Sequence, residues 1–409
     1  MIIEKDKLIV RELAKKYMEI VGSEKQKKMY DRMRDTNDLR IVRPPVILDE
    51  LPWYQLNVDG ELDCVCEDEW ARNVERHFRR RLLYLKYFKA DNVFEPYFRV
   101  KRAVDSTGIG VKAKNSDIKR TDSQNNIISR EIEDIFEDES SVELLHDPVF
   151  TLRPDKDEAN MEFYWELLGD SIPIKQFGFD YYYHTPWDQI SFMRGVEPIY
   201  TDMYERPEHL HEIMKRFISA ANVWLDFIEK NLDVDNDVVS LHCTPGIISG
   251  RAKEGFKATW YRGLAQCFGV VSPAMFKEFE IDYIKPIAER FAYTYYGCCE
   301  PLDDKIEVLK SISNLRKIGC PPWAKVERCA EQIGRDYVLA RKPNPANVAI
   351  KTDPEVVRKE TEETVKTCLK YGCPCDIVLK DVSTVSGKLE NLTVWAETVS
   401  DVLDEYYGY

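Results

Sequence analysis

Apolar positions recur along this chain in two rhythms. Between residues 8 and 35 they fall every three to four positions among Lys, Glu and Met, the spacing of one or two amphipathic helices, and Asn37-Asp38 breaks that run. Val46-Ile47-Leu48 follows Arg43-Pro44-Pro45 as a short buried-strand pattern and ends in Asp49-Glu50. The pattern predicts a helix over 70–88 and a second strand at Asn92-Val93-Phe94, ending at Glu95-Pro96. Residues 108–157 lose both rhythms and fill with Ser, Asn and acids, as an excursion over the surface would.

From residue 160 the alternation becomes regular. Strands are predicted over 174–183, 237–241, 290–296, 315–318, 336–340 and 376–379. Helices fall between them over 207–232, 354–371 and 389–406, and Ser272-Pro273 opens another as N-cap and first helical residue. Such alternation predicts a parallel sheet with crossover helices. Seven or eight units predict an α/β fold, a (β/α)8 TIM barrel. It would span 41–409, with a helical extension over 1–40 and an insertion at about 108–157.

Charge and cysteine narrow the picture. The formal net charge of -14, from 58 basic and 72 acidic residues, disfavours nucleic acid, since the basic clusters at 72–89 and 112–120 are short. No apolar run approaches the roughly 20 residues that cross a bilayer. The N-terminus lacks a signal-peptide core, so the expected compartment is the cytoplasm. Eleven cysteines, an odd number, read as reduced thiols rather than a disulfide framework, and would suit anaerobic metabolism.

In a barrel of this kind the chemistry collects where strands end. Tyr296-Gly297-Cys298-Cys299-Glu300-Pro301 puts two thiols and a carboxylate at such a corner, a donor set suited to a divalent metal, zinc first. Two buried structural cysteines are the plain alternative. Glu50, Glu95, Lys342, Lys380 and Asp381 stand at other strand ends, as catalytic acids, bases or cations, or as ion pairs. His242-Cys243 ends a further predicted strand; alternation would aim at most one of the two at the site. Trp53, Tyr97, Tyr182, His184, Trp187 and Tyr296 suit a flat apolar substrate, or a core rich in tyrosine. His209 and His211 read as solvated, and Cys373-Pro374-Cys375, ahead of the last strand, as structural.

Several segments resemble the uroporphyrinogen decarboxylase superfamily, which includes the cobamide-dependent methyltransferases. They are Arg43-Pro44-Pro45-Val46, the stretch from Phe179 to Gly195 around Thr185-Pro186-Trp187, and Val338 to Pro345. Ser272 to Phe279 with Tyr283-Ile284-Lys285-Pro286 is the most specific of them, and the resemblance covers roughly 35–405. Where true decarboxylases carry arginines that grip a polyanionic porphyrinogen, this chain has Leu48-Asp49-Glu50-Leu51-Pro52-Trp53. Glu95 and Lys380-Asp381 replace an Asp and a His of that enzyme.

The resemblance therefore leans to the methyltransferase branch, which holds zinc with a His-x-Cys pair and a terminal Cys. Cys298 matches the first cysteine, Tyr296 stands where the His would be, and Asp381 replaces the last Cys. The resemblance implies a methyltransferase, of O-demethylase type, moving a methyl group from a small methylated substrate such as an aryl methyl ether. The acceptor would be a corrinoid protein, and the fold's relatives often form homodimers. Zinc would be held by Cys298, Cys299, Glu300, Asp381 and His242. The rival expectations are a metal-free decarboxylase or lyase of a small carboxylic acid and a non-catalytic binding barrel.

Overall fold

The computed structural model describes residues 2–117, 130–235 and 241–408. Two helices, Glu4–Val21 and Glu24–Asn37, open the chain, and Ser23 caps the second through the backbone N–H of Gln26. The first packs with Glu69–Tyr87 and Pro154–Leu168 around a separate apolar cluster that includes Tyr17, Phe78, Phe98 and Leu167.

The main sheet has seven parallel strands. In spatial order they are Val46–Leu48, Cys375–Leu379, Val338–Arg341, Leu315–Cys320, Tyr293–Tyr296, Trp260–Gly263 and Tyr182–His184. The first strand in the chain pairs with the last, Ile47 against Val378, as in a barrel. Closure fails on the other side: Val46–Leu48 and Tyr182–His184 are both edges, so the predicted ring of eight strands is a curled, open seven-stranded sheet.

The cause lies in two segments. The predicted second strand does run beside Val46–Leu48, but side chains take over its ladder. Asp91 Oδ2 accepts from Val46 N at 2.9 Å, while Asn92 Oδ1 accepts from Leu48 N at 3.1 Å and its Nδ2 donates to Leu48 O at 2.9 Å. Short polar side chains compete with the backbone in this way. Most of the predicted strand at 237–241 lies outside the described residues; Leu241 N bonds Thr244 O, closing a turn rather than extending.

That turn continues into the barrel interior. Leu241 and Ile248 pack on Trp260, Tyr295 and Ala340, while Cys243 and Ile247 pack on Ile47, Val378 and Met33. Its carbonyls are taken by side chains, Gly246 O by Trp260 Nε1 and Ile247 O by Asn37 Nδ2. Beneath it the fully buried Lys317 and Asp376 form a 2.7 Å ion pair that also engages Thr244. The 241–248 segment thus fills the opening that a regular strand would have sealed.

Elsewhere the expected units stand. Helix Pro354–Tyr371 matches its predicted span, Ser272 caps Pro273–Phe276, and the strand predicted over 174–183 divides into Ile174–Phe177 and Tyr182–His184. Ile174–Phe177 pairs with Phe98–Lys101 outside the main sheet. The 108–157 region carries short antiparallel pairs, Asn115–Asp117 with Arg130–Ile132 and, at its flanks, Val104–Ser106 with Phe150–Leu152. Among the described residues no helix is long and apolar enough to cross a membrane.

Candidate functional site

Because the sheet is parallel, its C-terminal strand ends share one face, and there the chain departs from ordinary backbone geometry. Glu50, His242, Cys243 and Asp381 all have positive φ (49°, 42°, 71° and 57°), a conformation that disfavours side chains other than glycine's. Gly297, at φ 93°, is obligatory: a Cβ there would stand 2.2 Å from Leu302 Cδ1. Such residues persist only where their surroundings over-determine them, and they gather at functional sites.

These turns bring together donors from four separate loops. Cys298 Sγ lies 3.5 Å from Cys299 Sγ and 3.9 Å from His242 Nε2. Cys299 Sγ reaches Asp381 Oδ2 at 3.1 Å. One ligand atom each from Glu50, His242 and Cys243 lie within 4.8 Å of one another. Lys380 Nζ sits among these groups, 3.2 Å from Cys298 Sγ, 3.8 Å from Cys299 Sγ, 2.8 Å from Asp381 Oδ2 and 3.0 Å from Glu50 Oε2. Alternation argued for only one of His242 and Cys243 at the site, but it governs strands, and these two occupy left-handed turn positions that turn both inward.

A positive field stands behind Cys298. The guanidinium of fully buried Arg262 donates to Gly297 O at 3.0 Å and lies 3.9 Å from the Tyr295 ring centroid, and buried Lys342 donates to the same carbonyl at 3.4 Å. A hydrogen bond from Cys299 outweighs burial and, with His242, Lys342 and Arg262, holds the Cys298 thiol far below the usual cysteine range. That same bond, with burial, pushes Cys299 up. Cys298 is therefore the thiolate of the pair, the form that binds metals and attacks electrophiles.

The carboxyls divide as well. Burial, with Asp381 alongside, raises the pKa of Glu50 despite Lys380. For Asp381 burial acts upward, but Lys380 and hydrogen bonds from Glu50 and Cys299 together bring it below the usual range. The two carboxyls are thus pulled apart in proton affinity, Glu50 upward and Asp381 downward. Glu300 turns away from the thiols: its carboxylate accepts from Cys298 N at 2.9 Å and Ala265 N at 3.3 Å, bracing the loop, and burial raises its pKa.

The remaining predicted residues spread more widely. Glu95 is buried and faces Arg99 at 3.7 Å. Tyr97 lies beneath Lys175, 5.0 Å from ring centroid to Nζ. His184 is buried, stacked on Tyr182 and bonded to Tyr261 Oη at 2.9 Å, and burial lowers its pKa to about 3, so it is neutral. Trp187 is fully buried with Nε1 on Phe279 O. Tyr296 faces the helices, its hydroxyl on Glu280 at 2.9 Å, and Tyr295 faces the interior instead. His209, expected in solvent, is buried against Phe136 O because it shares the apolar face of Ile213 and Phe217.

Beside the cluster opens a cavity of about 310 Å³ bounded by Glu50, Leu51, Trp53, Arg80, Phe94 and Cys243. Sequence reasoning missed Arg262, Arg80 and Asp188, whose pKa burial raises to about 7. Arg262 offered a signal: a lone cation in an apolar run, Trp260-Tyr261-Arg262-Gly263.

No protein-family model matches the sequence, and no curated protein matches it. Among solved structures the chain is similar to a methyltransferase from Methanosarcina mazei, with TM-score 0.49 and 11% sequence identity, covering 93% of this chain and 99% of that one.

Proposed function

We propose that the chain is a metal-assisted methyltransferase that removes a methyl group from a small methylated substrate and passes it to a corrinoid protein. The observation that carries this reading is the convergence of a Cys298 thiolate, an imidazole and acids at one strand-end face. The resemblance of residues 35–405 to the cobamide-dependent branch supplies the reaction type.

The donors fit zinc. Tetrahedral zinc sets its ligand atoms roughly 3.3–3.8 Å apart, and Cys298 Sγ lies 3.5 and 3.9 Å from its two neighbours. Cys298, Cys299 and His242 would hold the ion with Asp381 as the fourth donor, and Cys243 lies beside His242. When bound, zinc would supply Lewis acidity to the heteroatom bearing the methyl group. As the methyl group leaves for cobalt, the heteroatom keeps the bonding electron pair and needs a proton; Glu50, whose pKa burial raises and which lines the cavity, would relay one from solvent. Lys380 balances the negative charge of the thiolate and Asp381.

A second reading has its own observation. The Lys380 ammonium lies within hydrogen-bond reach of four anionic or polarisable atoms, the place a bound cation would take. A metal-free decarboxylase of a small acid would use Lys380 and Lys342 for the substrate carboxylate.

The two separate experimentally. Protein prepared without oxygen should carry about one zinc per chain and convert cob(I)alamin to methylcobalamin with methoxybenzoates, read by absorbance; Cys298→Ser should lose both. Zinc-free protein that releases carbon dioxide from an acid, unaffected by Cys298→Ser, would overturn the methyl-transfer reading in favour of the second.

A further inference from the structure

The cluster accounts for one wall of the cavity and leaves the other unexplained. Helix Glu69–Tyr87 delivers three consecutive arginines. Arg79 is committed to Glu75 at 2.8 Å and to Glu61 O at 3.1 Å. Arg81 is committed to His77 Nδ1 at 2.8 Å and to the Phe94 ring. Arg80 lines the cavity between them, its guanidinium 5.3 Å from the Trp53 ring centroid. Among the described residues no carboxylate lies within 4.0 Å of Arg80 and no hydrogen bond engages it, whereas the lining acids are engaged, Glu50 by Lys380, Glu95 by Arg99 and Asp49 by the backbone N–H of Glu50.

Among the described residues of the lining, Arg80 is therefore the cation left without a polar partner. Burial and neighbouring Arg76 also disfavour the charged form of Arg80, so an arriving anion would relieve a strained cation. Ile47, Leu51, Trp53 and Phe94 give the lining an apolar and aromatic wall beside polar Asp49 and Asn92, and about 310 Å³ is the lower end of small-molecule pockets. A guanidinium over an aromatic face presents its planar fork to a carboxylate.

We propose that this cavity binds the substrate and that Arg80 selects for a flat, single-ring substrate carrying a carboxylate, gripping it while the opposite end of the ring faces Glu50 and Cys243. The assignment rests on the proposed function only for the reacting end; the carboxylate grip is a binding property that needs no metal and no acceptor.

The test is calorimetric titration of full-length protein with para-methoxybenzoate and with its uncharged amide, para-methoxybenzamide. Wild type should prefer the acid, and Arg80→Gln should weaken acid binding at least about tenfold, the scale of one charge-assisted hydrogen bond, while leaving the amide unchanged. Arg80→Lys should recover part of the loss. Thermal unfolding of each variant reports folding separately. Equal affinity for acid and amide, no binding of the acid by folded wild type, or an unchanged Arg80→Gln overturns the assignment. Acid-selective binding without methyl transfer overturns the proposed reaction and leaves the pocket standing.

Discussion

One side of the sheet, from Tyr293 through Leu379, is regular, and the other, where Val46–Leu48 and Tyr182–His184 stand apart, is not. On the regular side the strands pair in unbroken order, with one register shift between Thr294 and Tyr295, and strand interiors are buried. On the open side Asp91 and Asn92 replace a strand's hydrogen bonds with their own, and the 241–248 turn fills the gap. The two sides do different work. The regular side holds Cys298, Lys342 and Lys380 at fixed strand ends, while the open side supplies His242, Cys243, Glu50 and the cavity.

If this division holds, damage on the regular side should be global. Lys317→Ala leaves Asp376 buried and uncompensated, and should cost about 3–5 kcal/mol of stability in denaturant unfolding. Replacing the pair together, Lys317→Met with Asp376→Leu, should recover most of it. A single substitution that costs nothing would break the contrast. Gly297→Ala should cost about 1–3 kcal/mol, because its Cβ collides with Leu302 at a positive φ. It should also disturb Cys298, seen as slowed thiol alkylation.

Much of the regular side was legible in the sequence. Val338-Leu339-Ala340 and the helix Pro354–Tyr371 follow from period, since their ladders are made by backbone groups. The open side was not. Asn92-Val93-Phe94 has the apolar content of a strand, and nothing in that content shows that Asn92 will bond Leu48 on both sides. His242 and Cys243 looked like strand residues, and their left-handed backbone defeated the alternation argument. At Tyr295-Tyr296 the sequence did not set which ring points in: Tyr295 faces the interior and Tyr296 the helices. His209 was readable, because its spacing from Ile213 and Phe217 marks the buried face.

Smaller effects sharpen the comparison on the open side. Asn92→Ala removes two bonds to Leu48 and should cost about 1–2 kcal/mol, with faster amide exchange confined to 46–50 and 91–95. Asp188 gives a pH signature. Its pKa rises from 3.8 to about 7 on folding, so the native state binds the extra proton between those values. Its contribution is present below pH 4 and is lost as the pH climbs toward 7. Asp188→Asn should flatten that decline and stabilise the protein at pH 8; an unchanged pH profile would remove Asp188 from the account.

The most direct measurement is X-ray absorption at the zinc edge on protein purified without oxygen. The account predicts a mixed shell with sulfur at about 2.3 Å beside nitrogen or oxygen near 2.0 Å, losing a sulfur in Cys298→Ser. A shell without sulfur, or one indifferent to Cys298, would contradict the claim that these strand-end loops build a thiolate metal centre.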